Sequence, residues 1–238
     1  MLFDCDNTLV LSEELAFEAC ADVANEILTK QNIDVRYTGE QLIQDFVGQN
    51  FRGMMISLQA KYGFELTKEE LEYYVKEEEN QVIAKLEAKA EPCVGVMHEL
   101  DSLRESGKYG LAVVSSSALR RVKASLRKVG QEQYFPPDDV YSAATSLPTP
   151  TSKPDPAIYL FALERIGKKA DECIAIEDSK SGALSAIRAG IHVVGYVGSY
   201  PEEEKRKEMT QLFIDLGVKV VMTNWSEFPE CLKVVEES

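Results

Sequence analysis

The chain has 238 residues, 45% of them hydrophobic, enough for one large domain or two small ones around a substantial core. Its 40 Asp and Glu against 26 Lys and Arg leave a net charge of −14, which argues against a nucleic-acid backbone or an anionic membrane surface as a partner. Any small anionic ligand would meet the same repulsion, so its site must hold cations of its own, from a divalent metal or from lysine.

Met1, Leu2 and Phe3 read as the end of a buried strand, because apolar character stops at Asp4. Strands usually run about 5 to 6 residues, so this one is either naturally clipped or incomplete at its start. From Ser12 to Lys89 the pattern is helical. Leu15, Ala19, Val23 and Ile27 recur at i, i+4 spacing, Ala16, Cys20, Ala24 and Leu28 widen the stripe, and Glu13 and Glu14 sit where a helix N-terminus favours negative charge. Thr38 with Gln41 and Thr67 with Glu70 read as capping boxes opening further helices, and Gly63 suits a helix end.

After Glu91, Pro92 and Gly95 the rhythm becomes alternating strand and helix. Leu111 to Val114, Val140 to Ser142, Cys173 to Ile176, His192 to Val197 and Val218 to Met222 read as strands, with intervening helices ended by Gly107, Gly130, Gly167 and Gly190. The expected fold is α/β, a doubly wound parallel sheet with an inserted all-helical domain. Residues 1–11 and 92–238 form the expected core and 12–91 the insert, with Val10 to Glu14 and Lys89 to Gly95 as hinges. The segment from Pro201 to Asp215 reads as a surface helix of the sheet domain.

Parallel strands deliver their C-terminal residues to one sheet edge, where ligands bind at the point of strand-order reversal. Asp4 and Asp6, in a DxDxT run ending at Thr8, converge there by strand alternation. Such a pair needs a cation or a shared proton, and it suits phosphoryl transfer, one carboxylate attacking while the other donates a proton. Lys153 is aimed by Pro154, Asp155 and Pro156 and can offset anionic charge. Glu177 and Asp178 close the run Cys-Ile-Ala-Ile and offer hard oxygen ligands, Asp178 the preferred one, for Mg2+. Ser115, Ser116 and Ser117 follow Val113 and Val114 and can bind phosphate oxygens without added charge. Each motif also has a plain structural reading: an acidic turn, a surface lysine, or helix caps.

Together the ordered set DCDNT (4–8), VVSSS (113–117), KPDPAIY (153–159) and IEDSKSG (176–182) resembles the haloacid dehalogenase superfamily, in its phosphatase branch with a helical cap after the first strand. The resemblance implies Asp4 as the nucleophile forming an aspartyl phosphate and Asp6 as general acid and base. Thr8 would position Asp6, Ser115 would bind the transferring phosphoryl group with Ser116 beside it, and Lys153 would neutralise it. Mg2+ would be held by the Asp4 carboxylate, the Asp6 backbone carbonyl and Asp178, with Glu177 a ligand or a ligand's partner. Cap residues Gly48, Gln49, Asn50 and Arg52 would contact substrate, a small phosphorylated metabolite such as a sugar or polyol phosphate.

A sugar phosphomutase could use the same residues, but such relatives carry a histidine in the first cap helix, and Glu13 to Phe17 has none. Dehalogenation does not need Asp6, a phosphonatase would place a cap lysine before Lys30, and a phospho-accepting signalling module needs no helical insert. His98 and His192 fit structural roles. The five cysteines, Cys5, Cys20, Cys93, Cys173 and Cys231, form no CxxC pair, which suits a reducing compartment. With no apolar run near the roughly 20 residues of a membrane helix and no signal-type segment, a cytoplasmic protein is expected, and a monomer is compatible with it.

Overall fold

The computed structural model describes residues 1–46 and 49–237. Among them, six parallel strands form one sheet in the order β5-β4-β1-β6-β7-β8. The strands are β1 (Leu2–Phe3), β4 (Ala112–Ser115), β5 (Val140–Ser142), β6 (Ile174–Glu177), β7 (His192–Tyr196) and β8 (Val220–Met222). The expected parallel sheet is therefore present, with strand order reversing around β1, whose neighbours are β4 on one side and β6 on the other.

The two residues of β1 are buried on different faces of the sheet. Leu2 joins a core with Ala112, Ala175 and Val193, packed by α7 (Ala157–Ile166), α8 (Lys180–Arg188) and α9 (Glu203–Asp215). Phe3 points to the opposite face, where its ring meets Phe135 at 5.8 Å and Trp225 at 6.3 Å. Trp225 in turn packs on Phe228 of α10 (Phe228–Glu236). Both β1 side chains are wholly buried, and the alternation that separates them is the period-2 rule of a strand.

Two of the sheet strands, β4 and β6, end one residue later than apolar patterning suggests, and β7 ends one residue earlier, at Tyr196. Ser115 pairs with Ser142 and Glu177 with Gly195, so both polar residues belong to the ladder rather than to the following loops. At the other end, β8 begins at Val220 rather than Val218. Gly107 and Gly167 close α5 (Val96–Ser106) and α7 in the left-handed conformation, the role expected of them. The stretches read as hinges pair as a small antiparallel ladder, β2 (Val10–Leu11) with β3 (Glu91–Pro92), which the sequence pattern does not announce.

Contacts divide the chain into two units, residues 1–11 with 91–238, and residues 12–90. The second unit is helical: α1 (Glu13–Lys30), α2 (Gly39–Asp45), α3 (Phe51–Tyr62) and α4 (Lys68–Lys89). Both capping boxes form, with Gln41 N donating to Thr38 Oγ1 at 3.2 Å and Glu70 N to Thr67 Oγ1 at 3.1 Å, each reciprocated by the partner's backbone N–H. Val23, Ile27, Leu28, Leu42, Met55 and Leu58 make its core, and Lys85 ties α4 to Asp22 on α1 at 2.9 Å.

Candidate active site

Asp4 leaves β1 with its N–H on Ile176 O (3.0 Å), so the ladder to β6 sets its backbone. The chain then folds into a tight loop. Leu9 N and Val10 N both donate to Cys5 O at 3.0 Å, Asn7 adopts a left-handed φ of 57°, and Asn7 N reaches Val10 O at 2.7 Å. Asn is among the few side chains that tolerate this conformation. Gln131, fully buried, supports the loop from outside by donating Nε2 to Leu9 O at 3.1 Å.

Lys153 is the centre of the site. It lies in the loop before α7, its N–H held by Ser116 Oγ at 3.1 Å, and its side chain is only 3% exposed. Nζ donates to Asp4 Oδ1 at 2.6 Å, to Glu177 Oε1 at 2.6 Å and to Val114 O at 2.7 Å. All three ammonium donors are thereby used. Burial acts to lower the Lys153 pKa, but the charges of Asp4 and then Glu177 outweigh it and hold the ammonium above its ordinary range. Burial pushes the Asp4 carboxyl upward; Lys153 opposes this, while Glu177 and Asp6 add to it. The ammonium is thus secure, and Asp4 carries the strain of a crowded acidic site.

Asp6 is held by a separate pair of hydroxyls. Ser117 Oγ donates to Asp6 Oδ2 at 2.7 Å and Ser115 Oγ at 3.3 Å, while Ser115 Oγ accepts from Ser117 N at 3.0 Å. Ser142, at the end of β5, anchors this turn through Ser117 O at 2.7 Å. Thr8 is fully buried, and its hydroxyl makes no hydrogen bond.

Asp4, Glu177 and Asp178 each present an oxygen within 4.8 Å of the others, all three residues buried. Three carboxylates against the single Lys153 ammonium form a hard-oxygen set with excess negative charge, which fits a divalent cation. Tyr200 OH reaches Asp178 O at 3.2 Å, and Ser179 caps α8 by accepting from Gly182 N at 3.1 Å.

Asp4, Asp6, Ser115, Ser116, Lys153, Glu177 and Asp178 thus gather at one edge of the sheet. Two further residues join them that the sequence pattern does not single out for these contacts: Ser117, the nearer partner of Asp6, and Tyr159, whose OH donates to Glu177 Oε1 at 2.5 Å. Burial first, and then the Glu177 charge, push the Tyr159 phenol well above its ordinary range. The signal was present in both cases, Ser117 in the VVSSS run and Tyr159 closing KPDPAIY.

The residues proposed for the helical unit have local partners. Asn50 Oδ1 caps α3 by accepting from Gly53 N at 3.0 Å, and Gln49 Oε1 accepts from Ser57 Oγ at 2.9 Å. Arg52 forks onto both oxygens of Glu72 at 2.7 Å. Gly48 lies outside the described residues. His98 is 83% exposed on α5, and His192 is exposed at the start of β7, away from the strand ends that carry the site.

This constellation on a parallel sheet defines a class of hydrolase, and comparison with known proteins agrees. Residues 1–196 match the model of the haloacid dehalogenase-like hydrolases, and the chain belongs to that family. It is 32% identical over 200 residues to a phosphorylated carbohydrates phosphatase of Thermotoga maritima, covering 84% of this chain and 85% of that one. It is 27% identical over 194 residues to a 6-phosphogluconate phosphatase of Escherichia coli, covering 81% and 80%. The crystal structure of a conserved haloacid dehalogenase-like protein from Agrobacterium tumefaciens superposes with a TM-score of 0.72 at 25% identity, over 99% of this chain and 97% of that one. Within the family the chain is an enzyme of the phosphoric monoester hydrolase type. No described helix is long and apolar enough to cross a membrane.

Proposed function

We propose that this phosphatase is magnesium-dependent and acts on small phosphorylated metabolites, sugar or polyol phosphates, through a phosphorylated Asp4. The observation that carries the reading is the Lys153 ammonium at 2.6 Å from Asp4 Oδ1, on the sheet edge where Ser115 and Ser117 hold Asp6. Asp4 attacks phosphorus with the carboxylate oxygen that Lys153 does not hold, and the ester oxygen departs with a proton from Asp6. Asp6 then takes a proton from water, whose oxygen attacks the aspartyl phosphate, releasing phosphate and restoring the Asp4 carboxylate. Lys153 offsets charge on Asp4 and the transferring group, and Ser115 and Ser116 contact its oxygens. Bound Mg2+, held by Asp4, Asp178 and the Asp6 carbonyl, would supply the positive charge that the acidic set lacks and polarise the phosphoryl oxygens. Glu177 serves this centre through Lys153.

The substrate class draws on the names of the Thermotoga and Escherichia relatives, both phosphatases of phosphorylated sugars or sugar acids. The helical unit, residues 12–90, is read as the part that chooses among substrates, with Gln49, Asn50 and Arg52 as its contact residues. A panel of sugar and polyol phosphates assayed with Mg2+ and with chelator tests this reading. Phosphate release from some members, lost with chelator and restored by Mg2+, is the expected result. Turnover of none, or turnover indifferent to chelator, would overturn it.

A further inference from the structure

We propose that Tyr159 is a positioning residue whose hydroxyl, acting through Glu177, keeps the Lys153 ammonium shared with Asp4. The proposal rests on the reading of Asp4 as nucleophile. Lys153 Nζ stands 2.6 Å from Asp4 Oδ1 and 2.6 Å from Glu177 Oε1, so two buried carboxylates compete for one cation at equal distance. How strongly each pulls depends on how much of its charge is already satisfied.

Glu177 is wholly buried, and its Oε1 accepts a second bond, 2.5 Å long, from Tyr159 OH. That bond draws charge away from the oxygen facing Lys153 and leaves the ammonium available to Asp4. Tyr159 is itself wholly buried, in the first turn of α7, and Lys153 Nζ also lies 5.3 Å from the centre of its ring. The aromatic body therefore packs under the lysine while the hydroxyl engages its competitor. Glu177 has little freedom to turn away, because its carboxylate lies against Gly182, where a Cβ would overlap Oε2, Cδ and Oε1. Oε2 has no hydrogen-bond partner, so Oε1 alone links this carboxylate to its neighbours.

Tyr159→Phe keeps the ring and removes the hydroxyl. On the best substrate of the panel kcat should fall roughly tenfold, the usual range for a residue supporting a site through a ligand or partner, with KM unchanged. In a Glu177→Gln background the same substitution should change kcat by less than about twofold, since the competing charge is already gone. Equal losses in both backgrounds, or no loss in the first, would overturn the proposal. Independently of turnover, the short phenol-to-carboxylate bond should give wild-type protein a strongly downfield proton resonance that Tyr159→Phe lacks. A wild-type spectrum without it would also overturn the proposal, even if a variant fails to fold. If the resonance is present and no substrate is hydrolysed, the nucleophile reading fails while the Tyr159–Glu177–Lys153 arrangement stands.

Discussion

Replacing Lys153 by Met removes an ammonium that is 3% exposed and donates to Asp4, Glu177 and Val114 at 2.6, 2.6 and 2.7 Å, while keeping a side chain of similar reach. Asp4 and Glu177 are then left as neighbouring buried carboxylates without their cation. Breaking a buried ion pair in this way costs about 3–5 kcal/mol. For a chain of this size, that lowers the melting temperature by roughly 6–20 °C. The loss must depend on pH. Burial already pushes the Asp4 carboxyl up to about 8 against the opposing charge of Lys153; without the ammonium it rises further, so the variant goes on losing stability as pH rises above about 8, where the wild type has levelled off. Calorimetry without added metal should therefore show a larger gap between variant and wild type near about pH 9.5 than near about pH 6. A gap under about 2 °C at the higher pH, or one equal at both, would refute the claim that Lys153 compensates buried charge.

Ser117→Ala removes the 2.7 Å bond to Asp6 Oδ2 and leaves the 3.3 Å bond from Ser115. A hydrogen bond to a charged group is worth about 1.5–3 kcal/mol, so kcat should fall about tenfold or more with KM little changed, and a purely KM effect would count against Ser117 as the holder of Asp6. Arg52→Ala should alter preference among sugar phosphates more than hydrolysis of a generic aryl phosphate, with little change in melting temperature because the pair with Glu72 is exposed; equal losses on both substrates would contradict a selecting role. Glu236 accepts from Tyr109 OH at 2.6 Å and from Lys108 Nζ at 3.0 Å, and these partners, Tyr109 foremost, hold its carboxyl below the usual range. A depressed carboxyl contributes stability above its unfolded pKa and loses it as pH falls through the folded value. Glu236→Gln should therefore lower stability slightly at neutral pH, by less than about 1 kcal/mol, and the gap should close in acid; a gap that widens there would refute the assignment.

The sheet was legible because each apolar run stops abruptly at a polar residue, and parallel strands bring those stops to one edge. Asp4, Ser115 and Glu177 group in this way from the sequence alone, and Lys153 joins them through the Pro-Asp-Pro run that follows it. Periodicity gives the face of a side chain but not its reach, which is why three consecutive serines did not reveal that Ser117 is nearer to Asp6 than Ser115. Tyr159 was hidden for a different reason. On a helix packed against the sheet, an aromatic reads as core, which its ring is, while its hydroxyl makes the polar contact. The DxDxT pattern likewise places Thr8 near Asp6 in sequence, although its hydroxyl has no partner in the fold. The β2 and β3 strands are two residues each, too short for alternation to register. Arg52 and Glu72 come from different helices, twenty residues apart, and no local spacing rule joins them.

The central claim is that Asp4 is the phosphorylated nucleophile, and Asp4→Asn tests it most directly because the substitution preserves shape while removing the carboxylate. Phosphate release from the best substrate of the panel, measured with Mg2+ on correctly folded protein, should fall by at least about a thousandfold, as expected when a nucleophile is removed. Release at or near the wild-type rate would contradict the account.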